Sequence, residues 1–269
     1  MPELPEMETY KALLSKKTAG RTITAVSVER PKSVNMTAQQ FIEQVSGRTI
    51  TGYDRRAKQL LFLLDDGRLM ALHLMLGGWM FYGREEDKPD RTSQVILSFG
   101  ENQLYFMGLR LGHLHLYTQD EANQVFAELG PEPTAPSFTV EAFAALLSSK
   151  RGALKTKLLD QSIIAGIGNC YSDELCHHAG IRPDRSIGGL SQADYAALYR
   201  SMHAVFEEAI QYGGYMENPL YVGDTLTGGY NDRCKVYDRE NQPCYRCGQP
   251  IVKEMLNSRK MFYCSNCQR

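Results

Sequence analysis

Once the initiator methionine is removed from MPELPEMETYKALL, Pro2 carries a free secondary amine and Glu3 places a carboxylate beside it. An α-amino group titrates near pH ~8, so a useful fraction is neutral and nucleophilic at physiological pH, whereas an ordinary lysine is almost wholly protonated. A carboxylate next to such an amine is suited to moving protons. Helix chemistry is the competing reading. Proline suits a first helical turn, carboxylates favour the positive end of the dipole, and Met7, Tyr10, Leu13 and Leu14 recur at helical spacing. That reading accounts for Pro5, Glu6 and Glu8. It leaves Pro2 and Glu3, which precede the helix, unexplained.

A second group of residues points to a metal. Cys244 and Cys247 form one C-x2-C pair, Cys264 and Cys267 another, and sixteen residues separate them. Four thiolates at this spacing close a tetrahedral zinc site on two turns of a hairpin, and the metal supplies stability that so short a segment cannot draw from a core. Four protein ligands leave no open position, so the predicted zinc is structural, one per chain. A redox role for the pairs would need a βαβ context that is missing here. Arg259 and Lys260 lie between the pairs, near the expected hairpin tip. From Gly228 to Arg269 there are eight Lys or Arg against four Asp or Glu, although the whole chain carries a net charge of −1. A locally basic tail on a neutral protein fits a nucleic-acid contact; a solvated tip is the plainer alternative.

A third stretch, LDQSIIAGIGNCYSDELCHHAGIRP, runs from Leu159 to Pro183. One helix ends, a glycine-rich turn follows and another helix begins, so amides at Gly166 and Gly168 are candidates for holding a phosphate. Asn169 serves either as a helix cap or as a phosphate contact. A lone glycine turn is weak evidence and gains weight only beside the basic hairpin.

These residues need a frame. The 269 residues suffice for two domains, and 43% hydrophobic with 23% charged is a globular balance. No apolar run approaches a membrane span and the N-terminus lacks a signal-peptide pattern, so a cytoplasmic chain with no membrane partner, working as a monomer, is expected. From about Thr22 to Tyr117, ITAVSVER, LLFLLDDGRLMALHL, QVILSF and QLYFM read as strands of a sandwich or barrel. GPEPTAPS, with three prolines, reads as a linker. VEAFAALLSS, TKLLDQSII, NCYSDELCHHAG and QADYAALYRSMHAVFEEAIQ are helical by period, and YVGDTLTGGY is a loop expected to be mobile.

PELPE at the N-terminus, RRAKQLLF around Lys58, the LDQ…AGIGN…Y…E segment, VYDR before the cysteines and the C-x2-C…RKMFYC-x2-CQ finger together resemble formamidopyrimidine-DNA glycosylase. The wider family includes glycosylases of the endonuclease VIII type, and PELPE rather than PEGPE leans towards the formamidopyrimidine branch. The resemblance runs from end to end with the motifs in order. It implies an α+β fold: an N-terminal β-sandwich catalytic domain with a leading helix (residues 1–129), a linker (130–138), a helix–two-turn–helix DNA-binding domain (139–229) and a zinc-finger hairpin (230–269). It also implies a bifunctional glycosylase and abasic-site lyase of base excision repair acting on damaged DNA. Pro2 would be the nucleophile, Glu3 the acid–base partner, Glu6 a supporting carboxylate and Lys58 a lysine near the reacting centre. Lys155, Asn169 and Arg259 would contact phosphates around an extruded nucleotide.

The sequence departs from that pattern where the family inserts Met, Arg and Phe into the gap left by the extruded base. Aligning HLMLGG puts Leu76 at the Met position, and aligning YFMGLRLG puts Leu109 at the Arg and Leu111 at the Phe, with Arg110 a possible substitute reader. Aliphatic wedges part stacked bases but offer no donor to the widowed base. Two other readings stay open: a DNA-damage-binding member that has lost catalysis, against which Pro2, Glu3 and Lys58 weigh, and a zinc-ribbon transcription or RNA-binding module, which leaves PELPE unexplained.

Overall fold

Ser93–Phe99 shows how the first half of the chain becomes sheet. In SQVILSF, Ser93, Val95, Leu97 and Phe99 are buried while Gln94, Ile96 and Ser98 are only partly covered, the period of two that a strand imposes on its faces. The computed structural model describes all residues, 1–269. Chain contacts divide them into two units, one of residues 1–128 with 212–229, the other of 129–211 with 230–269.

The first unit opens with helix α1 (Leu4–Thr18), followed by β1 (Ala25–Val28), α2 (Ala38–Val45), β2 (Ile50–Arg56), β3 (Gln59–Leu64), β4 (Leu69–His73), β5 (Trp79–Gly83), β6 (Ser93–Phe99), β7 (Asn102–Met107), β8 (His113–Tyr117) and α3 (Gln119–Phe126). The strands form two antiparallel sheets, β1-β6-β7-β5 and β2-β3-β4-β8. One core joins them: Leu60, Phe62, Met70 and Leu72 from the second sheet meet Val95, Leu97, Leu104 and Phe106 from the first, and Met7, Tyr10, Leu13 and Leu14 bring in the apolar face of α1. The stretch expected to be mostly strand also contains α2, and α3 follows directly after it; each is begun by a threonine whose hydroxyl accepts from the amide three residues on (Thr37 from Gln40, Thr118 from Glu121, 3.2 Å each).

Residues 212–229 rejoin this unit after a long excursion. Leu220 is fully buried in the sandwich core; Tyr82 N donates to its carbonyl at 2.6 Å, and Trp79 Nε1 donates to Pro219 O at 3.0 Å. The loop expected to be mobile is organised by one carboxylate: Asp224 accepts from Leu220 N, Leu226 N, Thr227 N and Thr227 Oγ1. Burial works to raise its pKa, and these bonds, led by the Thr227 hydroxyl, bring it below the usual carboxylate value.

The second unit contains α4 (Val140–Ser148), α5 (Leu154–Leu158), α6 (Asn169–Ala179), α7 (Gln192–Gln211) and a hairpin of β9 (Val252–Leu256) with β10 (Arg259–Tyr263). The helix expected over TKLLDQSII stops at Leu158. Beyond it, polar side chains take the backbone groups that a helix would use: Asp160 accepts from Ser162 N, and Gln161 donates to Leu159 O and Ile167 O while accepting from Gly166 N. The proline-rich segment has no regular structure but is tied down, with Gly130 N donating to Gln161 O and Ala165 N to Pro131 O. No helix in the chain is long and apolar enough to cross a membrane.

Candidate active site and metal centre

At the N-terminus the helix begins at Leu4, leaving Pro2 and Glu3 ahead of it and both buried. Glu6 holds this end together. Its Oε2 accepts from Glu3 N at 2.7 Å, and its Oε1 accepts from Tyr215 N at 2.8 Å. Glu3 and Glu6 are 2% and 1% exposed, so these carboxylates stand in a low-dielectric setting. One turn on, Glu8 pairs with Arg55 (Nε to Oε1, 2.7 Å). Burial alone would raise the Glu8 pKa; hydrogen bonds from Lys11 and Arg55 bring it down on balance. Arg55 also donates to Ala57 O at 3.0 Å, bracing the β2–β3 turn, where Ala57 takes a left-handed conformation at φ 54.

Lys58 sits in that turn rather than in a strand, and at 6% exposure it is no solvated surface lysine. It borders a histidine row: His73 meets His113 edge-on at 5.7 Å, and His113 stacks on His115 at 3.9 Å. Burial first, then His113 and the Lys58 charge, push His73 down to about 4. His73 is therefore neutral at physiological pH.

The two loops expected to carry the wedge lie against each other. A Cβ on Gly108 would come within 2.1 Å of Gly77 O, and one on Gly112 within 2.4 Å of His73 O, so glycines allow the backbones to touch. Leu76 and Leu111 project from these loops, 68% and 65% exposed, with Arg110 exposed beside them. Leu109 corrects the expectation. It is wholly buried in the sandwich core, while its amide donates to Gln94 Oε1 at 2.9 Å and its carbonyl accepts from Arg30 at 3.2 Å. Burying its apolar side chain is favourable, and the position aligned with the base-reading arginine does not reach the surface.

In the second unit Lys155 is also corrected. It is fully buried, and its ammonium is taken up by Asp173 (2.6 Å), Lys260 O (2.8 Å) and Asn169 O (3.4 Å) rather than presented outward. Asp173 accepts as well from Phe262 N at 3.0 Å, so the pair fastens α5 and α6 to β10. Burial raises the Asp173 pKa to about 7 against the pull of Lys155. Next along the helix, Glu174 accepts from three successive amides, Lys235, Val236 and Tyr237, at 2.8 Å each, fixing VYDR onto α6. Asp173 was not singled out in the sequence, and Glu174 entered only as the acid closing the LDQ…AGIGN…Y…E segment, without a role.

Gly168, not Asn169, is the N-cap of α6, so the capping role for Asn169 falls away; its Oδ1 is buried without a hydrogen-bond partner. The Gly166 amide is already used by Gln161 and is not free for a phosphate. Arg259 is exposed at the start of β10, one residue past a tip whose Asn257 and Ser258 are both left-handed (φ 48 and 63). With Lys155, Thr156, Leu159, Asp160, Leu256 and Asn257 it lines a cleft of about 190 Å³.

The four cysteines converge. Their sulfurs all lie within 4.8 Å of one another, with Cys247–Cys264 at 3.4 Å and Cys244–Cys267 at 3.9 Å. Tetrahedral thiolates at ~2.3 Å from zinc stand about 3.8 Å apart, so the donor set and spacing fit that ion. His177, which the sequence reading passed over, places Nε2 3.7 Å from Cys244 Sγ, and Arg246 N donates to the same sulfur at 3.5 Å. Such contacts orient a ligand and temper its charge.

A sandwich with a carboxylate-lined N-terminus, in a chain that also carries helices and a four-cysteine hairpin, is the architecture of a class of DNA-repair glycosylases. The Lactococcus lactis Fpg structure in complex with DNA containing an abasic site matches with a TM-score of 0.92 at 29% identity, covering 99% of each chain. The wild-type L. lactis Fpg bound to DNA containing N7-benzyl-Fapy-dG matches with the same score and identity over 100% of both chains. The formamidopyrimidine-DNA glycosylases of Pelotomaculum thermopropionicum and of a Roseiflexus species are each 36% identical; both cover 100% of this chain, with 99% and 100% of the relatives covered. Residues 1–114 match the formamidopyrimidine-DNA glycosylase N-terminal domain and residues 129–218 its H2TH domain. The chain belongs to the formamidopyrimidine-DNA glycosylase family.

Proposed function

We propose that this glycosylase excises oxidised bases from DNA and then cleaves the strand as an abasic-site lyase, with Pro2 as nucleophile. The observation that carries the reading is the N-terminal arrangement: Pro2 directly precedes Glu3, and Glu6 fixes the Glu3 amide at 2.7 Å. The secondary amine attacks C1′ as the damaged base departs with a proton; the nitrogen then loses its own proton, the C1′–O4′ bond opens with O4′ taking a proton from Glu3, and C1′ is left as an iminium on Pro2. That electron sink acidifies the adjacent sugar proton, and elimination expels the 3′ phosphate. Lys58, buried at the β2–β3 turn, supplies positive charge near the phosphates. In the second unit, Arg259 and Asn169 remain the candidates for phosphate contact, and Cys244, Cys247, Cys264 and Cys267 hold one zinc. Bound zinc supplies folding energy to the hairpin rather than chemistry, because four protein ligands fill its coordination. The enzyme works as a monomer in the cytoplasm.

Borohydride reduction in the presence of DNA containing an abasic site tests the nucleophile. A covalent protein–DNA adduct at Pro2 is expected, and Pro2→Gly should reduce its yield sharply. Equal trapping by protein that retains Met1, whose Pro2 nitrogen is an amide, would remove Pro2 from the role. A DNA-binding member without catalysis would bind such DNA and never trap.

A further inference from the structure

Residues 213–215 form a strap over the N-terminus whose path leaves little freedom. Gly213 and Gly214 both have positive φ (76 and 74), and neither admits a side chain. A Cβ on Gly213 would lie 2.0 Å from Leu226 O, and one on Gly214 would lie 2.3 Å from Glu6 Oε1. Beyond them Tyr215 N donates to Glu6 Oε1 at 2.8 Å, while the other oxygen of that carboxylate takes the Glu3 amide at 2.7 Å. One buried carboxylate thus sets the strap and the residue after Pro2 in a single frame. Within it, the Tyr215 phenol donates to the Met1 carbonyl oxygen at 3.2 Å. That oxygen is carried by the carbon bonded to the Pro2 nitrogen. Removal of Met1 takes the acceptor away and leaves the phenol beside the new secondary amine.

We infer that Tyr215 is a positioning residue for the N-terminal amine: its phenol oxygen accepts an N–H from Pro2 and aims the nitrogen lone pair. The inference rests on Pro2 as the nucleophile. A hydrogen bond to a charged donor is stronger than one to a neutral donor, so the phenol holds the protonated amine more firmly than the free amine. The amine therefore titrates higher with Tyr215 than without it. Other ionisable groups on the surrounding elements are Glu3 just ahead of α1, Glu6, Glu8 and Tyr10 on it, Arg55 and Lys58 at the β2–β3 turn, and Asp224 in the following loop. A change confined to the hydroxyl leaves all of them in place.

Tyr215→Phe keeps the ring, the strap and the amide bond to Glu6. Mass spectrometry first establishes that Met1 is absent from parent and variant, and matching melting curves establish that both fold. The single-turnover rate of borohydride trapping on abasic-site DNA is then followed against pH. The variant should show a plateau lower by about tenfold and an acid limb displaced to lower pH by about half a unit, the scale of one lost hydrogen bond. An unmoved acid limb, with or without a lower plateau, overturns the inference, since a merely structural tyrosine changes the rate without changing the titration of the amine. If the parent itself fails to trap, the Pro2 assignment falls and this inference falls with it.

Discussion

The two units keep buried charge by different means. In the sandwich, charges gather at the margin of one large apolar core, and the Glu8–Arg55 pair stays partly open, with the glutamate side chain 20% exposed. In the second unit, the Lys155–Asp173 pair is sealed, at 1% and 0% exposure, and it carries a connection between the helices and the hairpin. The hairpin's own apolar cluster is small: Val236, Ile251 and Phe262 with two cysteines. The first unit is held by area. The helices of the second unit also bury a broad apolar set, Phe143, Leu147, Leu175, Leu198, Met202 and Phe206 among them, but its hairpin relies on a few strong polar contacts and four converging cysteines, so the hairpin's integrity depends on single atoms.

Removing the proposed zinc tests this difference at its largest. Chelation, or Cys264→Ser, should unfold the hairpin, because structural zinc contributes about 10–16 kcal/mol of apparent binding energy to such segments. Duplex affinity should fall by well over tenfold while the sandwich retains its own thermal transition. Metal analysis with calorimetry checks both, and freshly purified protein without zinc would break the comparison.

The ion pairs give the next contrast. Asp173→Ala leaves the Lys155 ammonium buried and unpaired and should cost about 3–5 kcal/mol. Glu8→Ala removes a pair with solvent access and should cost roughly 1–2 kcal/mol. Urea unfolding of each variant reads the difference; equal costs would mean that burial is not what distinguishes the units.

Acid should weaken the sandwich in a defined window. Burial holds His73 and His115 down to about 4, while an unfolded histidine titrates near ~6.5. Between those values the unfolded chain binds more protons, so stability falls as pH drops from ~6.5 towards ~4 and stays flat for these groups above it. Replacing both histidines with Gln should flatten that segment of the stability–pH curve.

The smallest effect concerns the wedge. With Leu109 in the core and Leu76 and Leu111 exposed, no alignment-matched donor faces the widowed base, and a bidentate base contact is worth about 1–3 kcal/mol. Excision should therefore vary less than about tenfold across the four opposite bases. Leu111→Ala should slow excision from duplex more than from single strands, the outcome expected of a residue that fills the gap. Strong preference for one opposite base would turn attention to Arg110.

Much of this protein could be read from the chain. The strands QVILSF and QLYFM, the apolar face of α1 and the convergence of four cysteines all follow from local periodicity and spacing, which a few neighbouring residues determine. The caps of α2 and α3 were legible too, as T-x-x-Q and T-x-x-E, the first inside a stretch dominated by strand signals and the second just after it. What only the tertiary structure decided depends on long-range burial. Leu109, Lys155 and Asp224 look like loop or surface residues in one dimension. Their environments come from partners dozens of residues away or from the way the chain turns around them: the sandwich core for Leu109, α6 and β10 for Lys155, and the Leu220–Thr227 turn for Asp224. The same holds for Tyr215, whose amide meets Glu6 across 209 positions. Sequence spacing determines which side chains can share a face, whereas desolvation and hydrogen-bond satisfaction belong to the packed whole, and they decide which of those side chains remain available for chemistry.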